Sequence, residues 1–220
     1  MAVDVAMADE AEVLSPSEPV VADSSESNEL VRERLLLARL RRKDQRAFAE
    51  LVRNHQDRVY DLCCRMLNDR EEAFDVAQEV FFALSGAVST FRGESRLSTW
   101  IFRVAKNHCL NRLKYMGRRQ RNRTDELSEV SEGELATHQV SPSPQEALLV
   151  KEQQGRVQRA IAQLGEEQKL LIILRDIEGL SYDEIVQITE QPEGTVKSRL
   201  HRARTALAEI LAKTQQEEKS

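Results

Sequence analysis

Cysteine, proline, glycine and aromatic residues are all scarce in this chain, with 3 cysteines, 5 prolines, 8 glycines and 5% aromatic residues among 220 positions. So few aromatic and turn residues argue against a β-sandwich or barrel, which needs many of both. Cys63, Cys64 and Cys109 are odd in number and irregular in spacing, which excludes a disulfide framework. Vicinal Cys63 and Cys64 on a helical pattern face different ways and make a poor metal clamp. Cys63 also falls on an apolar stripe, as a small buried hydrophobe would. His55, His108, His138 and His201 are scattered, so no metal-ligand set is expected. No uncharged apolar run reaches the length of a membrane span. The N-terminus shows neither a basic nor an apolar signal region, and the cytoplasm is the expected location. There is no glycine-rich phosphate loop, no supported Ser/His/Asp order and no ligand cluster. Neither a catalytic residue nor a cofactor is expected.

Charge, by contrast, is abundant at 31%, and it is unevenly placed. The residues before Glu29 include seven acids (Asp4, Asp9, Glu10, Glu12, Glu18, Asp23 and Glu26) and no Lys or Arg. With those set aside, the net charge of −5 becomes +2 for the remainder. From Arg92 to Arg123 ten basic residues face one acid, Glu94. A local basic footprint of this kind suits a polyanionic partner even when the whole chain is acidic.

Periodicity predicts an all-α fold of two small helical domains joined by a flexible linker. Residues 1–28 are rich in Ala, Ser, Pro, Val and acid and are expected to be disordered. A first domain is expected over 29–116. In it a weak helix runs from Glu29 to about Leu40. A strong amphipathic helix then starts at the N-cap Asp44 and carries Phe48, Leu51, Val52, His55, Val59, Leu62, Cys63 and Met66 on one stripe. Asp69 and Glu72 have capping-box spacing for the next helix, striped by Ala73, Val76, Ala77, Val80, Phe81, Leu84 and Val88. After a polar loop, Ser98 or Thr99 is expected to cap a helix with Ile101, Val104, Ala105, His108, Cys109 and Leu113 inward.

Periodicity fails over 117–144, the expected linker, whose carboxylates suggest either a mimic of RNA or a merely solvated tether. A second domain is expected over 145–213, followed by a tail over 214–220. One helix stops at Gly165 and another at Gly179, the latter as a left-handed C′ residue. Ser181-Tyr-Asp-Glu184 is a capping box opening a short helix. After a turn over Thr189-Glu-Gln-Pro192, a long final helix carries Val196, Leu200, Ala203, Leu207, Ile210 and Leu211 inward. Short helix, turn and basic helix make a helix-turn-helix. Its second helix presents Thr195, Lys197, Ser198, Arg199, His201, Arg202 and Arg204. Arginine can fork onto guanine, and hydroxyls can bond bases or phosphates, so these residues are candidates for reading a major groove.

Asp176-Ile-Glu-Gly-Leu-Ser-Tyr-Asp-Glu-Ile185 and Pro192-Glu-Gly-Thr-Val-Lys-Ser-Arg-Leu-His-Arg-Ala-Arg204 closely resemble the −35-recognising region 4 of extracytoplasmic-function (group 4) sigma factors of the sigma-70 family. Ala73-Phe-Asp-Val-Ala-Gln-Glu-Val-Phe81 and Phe91-Arg-Gly-Glu-Ser-Arg-Leu-Ser-Thr-Trp-Ile101 resemble region 2 of the same family. The resemblance covers both expected domains in the right order. It implies a protein that binds the β and β′ subunits of core RNA polymerase and promoter DNA, with an anti-sigma factor as a further partner.

By the same resemblance, Asp75, Gln78 and Glu79 would dock on the clamp helices of the polymerase's largest subunit. Phe74 departs from the family there, where an acid is usual. The loop from Phe91 to Ser98 would capture a flipped base of the −10 element. A melted strand needs a basic groove and groups for unstacked bases. Arg92, Arg96, Ser98, Thr99 and Trp100 could supply them, although Trp100 could equally be a buried anchor. Arg103, Lys106, Asn107, Asn111 and Lys114 would continue the strip along the helix. The competing expectation is a stand-alone helix-turn-helix regulator that binds DNA without polymerase.

Overall fold

A computed structural model describes residues 22–122, 153 and 155–217, and all the regular structure among them is helical. Helix α1 spans Ala22–Arg41, α2 Gln45–Leu67, α3 Arg70–Ala87 and α4 Leu97–Asn122, with a 3-10 turn at Val88–Thr90. In the second module α5 covers 155–162, α6 is Glu166–Ile172, α7 Tyr182–Thr189 and α8 Glu193–Glu217. Most of the expected linker lies outside the described residues.

Local signals set most of the boundaries. The Asp44 carboxylate accepts from the amides of Arg46 and Ala47, and Asp69 does the same for Glu71 and Glu72. Each thereby satisfies amides that a helix start leaves without a partner. Asn68 ends α2 in the left-handed region at φ 54°. Four boundaries differ from expectation, one of them the end of α8, which runs past residue 213 to Glu217. Helix α1 begins at Ala22 rather than Glu29. Helix α4 begins at Leu97, so Ser98 and Thr99 sit inside its first turn instead of capping it, and it continues past residue 116 to Asn122.

The first module closes around Leu51, Leu62 and Met66 of α2, Val76, Val80 and Leu84 of α3, and Ile101 and Ala105 of α4. Cys63 and Cys109 meet there with sulfurs 3.6 Å apart. Their mutual hydrogen bond and burial push the Cys63 thiol well above its ordinary range, which keeps it protonated and inert. Helix α1 lies against α2 and the 3-10 turn and buries Leu36, Leu37 and Leu40.

The second module packs Leu170, Leu171 and Leu174 against Ile185 and Ile188 of α7 and Val196, Leu200 and Ala203 of α8. Its α6 widens into a π turn over Ile173–Ile177, and the chain reverses at Gly179, φ 70°. There the Leu180 amide reaches back to the Leu174 carbonyl at 3.0 Å, closing the helix end as expected of a left-handed glycine. The Ser181–Glu184 capping box is present in both directions, so α7 starts where the sequence places it.

The two modules touch. Helix α4 lies along α7, α2 meets α6, and the buried apolar residues of both modules form one continuous cluster.

Candidate nucleic-acid interface

On α8 the inward positions Val196, Leu200 and Ala203 are essentially unexposed, which turns the remaining face outward. Lys197, Ser198, His201 and Arg202 are exposed on it, and Thr195 is half-buried. Lys197 pairs with Glu193 at 2.5 Å and lies 5.3 Å from the centre of the Tyr182 ring. That hydrogen bond is the main reason the Lys197 amine is held above its usual range. Arg199 and Arg204 have a different setting. Arg199 pairs with Glu167 on α6, and Arg204 forks onto Asp176, with its Nε donating at 3.1 Å. These two side chains tie α8 to α6 and to the π turn that continues it. The turn before α8 depends on Glu190 in the left-handed region at φ 59° and on Pro192, whose carbonyl accepts from Thr195 and Val196. Short helix, turn and exposed basic helix therefore have helix-turn-helix form, with α8 able to enter a major groove.

In the first module, Asp75, Gln78 and Glu79 are exposed on α3, opposite buried Val76, Ala77 and Val80. Glu79 is partly engaged: Arg112 of α4 donates to it at 2.6 Å, and His108 Nδ1 lies 3.5 Å away. Arg112 also pairs with Glu72, so one arginine straps α4 to two turns of α3. Phe74 and Phe82 flank this face at 57% and 82% exposure. Periodicity does not single out Arg112, because it lies among ten basic residues of similar spacing; only its two acidic neighbours across the helix pair distinguish it.

The residues expected to meet the −10 strand divide into two groups. Arg92, Arg96, Asn107, Asn111 and Lys114 are exposed, and Ser98 and Arg103 are half-buried. Asn107, Asn111 and Lys114 share one face of α4 through four- and three-residue steps. Three other candidates are withdrawn from solvent. Trp100 is a buried anchor, its ring 4.9 Å from that of Phe91, rather than a platform open to bases. Thr99 is 2% exposed and its hydroxyl has no hydrogen-bond partner. Lys106 is 7% exposed, and its Nζ donates to the Ile188 carbonyl of α7 at 2.8 Å. Burial holds the Lys106 amine below its ordinary range.

Lys106 is hidden because α7 covers that side of α4. A second tie crosses the same seam: Arg58 of α2 stacks over the Phe102 ring at 4.9 Å and donates to Glu178 at 2.8 Å. Phe102, 1% exposed, carries the sequence signal for this second packing face, since it lies off the stripe of Ile101, Ala105 and Cys109.

Fold and surface together define an all-α DNA-binding protein, in which a helix-turn-helix module is paired with a helical module bearing an acidic face and a basic strip. Comparison with known proteins narrows the class. Residues 51–119 match the family Sigma-70 region 2 and residues 154–207 match Sigma-70, region 4. The RNA polymerase sigma-H factor of Pseudomonas aeruginosa is 40% identical over 178 residues, which is 80% of this chain and 92% of the relative. The ECF RNA polymerase sigma-E factor of Escherichia coli is 36% identical over 182 residues, covering 82% and 94%. Among solved structures, the sigma factor RpoE of Bartonella quintana, in complex with the anti-sigma factor NepR, shares the fold at a TM-score of 0.60 and 22% identity, covering 75% of this chain and 96% of that one. CnrH, in complex with the cytosolic domain of CnrY, also scores 0.60 at 22% identity, covering 82% and 97%. The chain belongs to the extracytoplasmic-function sigma factors of the sigma-70 family. It is an RNA polymerase sigma factor and not a stand-alone regulator.

Proposed function

We propose that the two modules divide promoter recognition between them, with α8 reading the −35 duplex and the loop and α4 of the first module holding the melted −10 strand. The observation that carries this reading is the outward set Lys197, Ser198, His201 and Arg202 on a helix whose opposite face is buried. Arg202 and Lys197 are assigned to base edges or phosphates, whereas Arg199 and Arg204 are assigned to holding α8 in register through Glu167 and Asp176. In the first module Arg92, Arg96, Arg103, Asn107, Asn111 and Lys114 form the strand-binding strip. Asp75, Gln78 and Glu79 are the docking face for the polymerase clamp. The domain limits follow the same division, with the first working unit carried through the end of α4 at Asn122 and the second through the end of α8 at Glu217, in place of the expected limits at 116 and 213. The work is binding and positioning, without a reaction catalysed by this chain, and it takes place in the cytoplasm beside the polymerase.

An anti-sigma factor is a further proposed partner, supported by the two similar structures in which a sigma factor is held by one. The test is run-off transcription over a genomic library with purified core polymerase. The chain should give promoter-specific initiation with core enzyme and bind duplex only weakly without it. Initiation that does not depend on the added chain would refute the assignment.

A further inference from the structure

Helix α1 carries none of the residues proposed to meet DNA or polymerase, yet it holds the loop before α4 at both ends. Its own seat is α2. Leu36, Leu37 and Leu40 are buried, and Arg39 donates to the carboxylates of Asp44 at 3.0 Å and Glu50 at 2.9 Å. Glu33, Leu37 and Arg41 follow at four-residue steps and share one face of the helix. From that face Arg41 Nη2 donates to the carbonyls of Phe91 at 3.0 Å and Arg92 at 3.3 Å, where the loop leaves the 3-10 turn. The Glu33 carboxylate accepts from the amide of Leu97, where the loop enters α4.

These are the groups that a loop and a helix start leave unpaired. Carbonyls of irregular chain and the first amides of a helix need a partner or water. Neither Ser98 nor Thr99 caps α4; the acceptor at its start comes from 64 positions away. Between the two grips the chain turns at Gly93, φ 79°, where a Cβ would lie 4.0 Å from Arg41 Nη2. With these backbone groups held by α1, the loop still leaves Arg92, Glu94 and Arg96 exposed. Its shape is set from outside its own sequence. We infer that Glu33 and Arg41 are positioning residues for capture of the −10 strand, through which α1 holds the 91–96 loop ready for a flipped base before DNA arrives. This rests on the reading of that loop as the strand-capturing element.

A preset loop loses less conformational freedom on binding and keeps its polar groups where one base shape satisfies them. The two braces carry opposite charges, which makes the idea separable from electrostatics. By charge alone, removing Glu33 would favour a polyanion and removing Arg41 would oppose it. Bracing makes both losses act in the same direction. The test uses holoenzyme assembled from core polymerase and the full-length chain, with Glu33→Ala, Glu33→Gln, Arg41→Ala and Arg41→Lys beside wild type. The probe is a fluorescein-labelled single-stranded oligodeoxynucleotide carrying the non-template −10 segment of a promoter obtained by run-off transcription. Its single-base variants compete with it, and anisotropy reports affinity and base preference.

Glu33→Ala should weaken binding of the preferred oligonucleotide by about tenfold, the order expected for loss of one hydrogen bond to a charged group, and should flatten the preference among bases. Arg41→Ala should do the same. Glu33→Gln keeps an acceptor for the Leu97 amide and should restore the wild-type preference. Arg41→Lys, with one amine for the same carbonyls, should recover part of it. Unchanged or tighter binding by Glu33→Ala overturns the inference, as does failure of Glu33→Gln to rescue. A loss spread evenly over all the oligonucleotides overturns it too, since that is the mark of a phosphate contact. If circular dichroism shows Glu33→Ala to be unfolded, the two Arg41 variants are held to the same outcomes. Wild-type holoenzyme without any preference among −10 bases sinks the functional reading, whereas a preference that survives in every variant sinks the brace alone.

Discussion

The two helices proposed to face DNA, α8 and α4, differ in how closely their surfaces follow from their own periodicity. On α8 one stripe is buried and the opposite face stands open, so burial tracks the helical pattern residue by residue. On α4 two faces are buried. Ile101, Ala105 and Cys109 enter the core of their own module, while Phe102 and Lys106 are covered at the junction with the other. A helix that packs once keeps its polar residues in solvent; a helix that packs twice loses part of its polar surface to the second neighbour. The lesson concerns hidden cations: a lysine at the right spacing on a polar face is available to DNA only if nothing else in the chain has claimed that face.

The proposed contrast between α8 side chains that read and those that brace can be tested most strongly at Arg202. Arg202→Ala should weaken −35 binding by holoenzyme by about 1–3 kcal/mol and relax preference at one base position, measured by competition with single-base variants of the promoter. A uniform loss across all variants would reassign Arg202 to phosphate. Next comes the proposed docking face. Asp75→Ala should cost about 1 kcal/mol or more in core affinity, measured by titration against core polymerase, with unchanged melting. Glu79→Ala should cost affinity and also lower the melting temperature slightly, because it releases Arg112 and His108. Identical behaviour of the two variants would show that the strap to α4 contributes nothing.

Smaller effects belong to the frame of the helix-turn-helix. Ser181→Ala removes the α7 N-cap and should destabilise the second module by about 1 kcal/mol in urea titration. Arg204→Ala should cost no more than about 1 kcal/mol of stability, since its pair with Asp176 is half exposed, and it should leave base preference untouched. Altered base preference in that variant would move Arg204 from brace to reader.

Much of this architecture is legible in one dimension because it depends on neighbours close in the chain. Asp44, Asp69 and the Ser181–Glu184 box satisfy amides two or three residues away, and Gly179 adopts a conformation open to its own lack of a side chain. Exposure of Asp75, Gln78, Lys197 and Arg202 likewise follows from the stripe opposite each. The cap at Ser98 or Thr99 did not follow, because Leu97 already enters the α4 turn and the backbone bonds Trp100 to Arg96. Trp100 was ambiguous since an aromatic at a helix start suits both a base and a core, and contact with Phe91 decided it.

Local order thus supplied the helices, their caps, the family signature and the division into two modules, all of which depend on interactions spanning a few residues. What folding in three dimensions added was the meeting of residues 82 positions apart, Lys106 with Ile188, and 120 apart, Arg58 with Glu178. No periodicity encodes such pairs, because the free energy of burying a face depends on which distant surface happens to fit it.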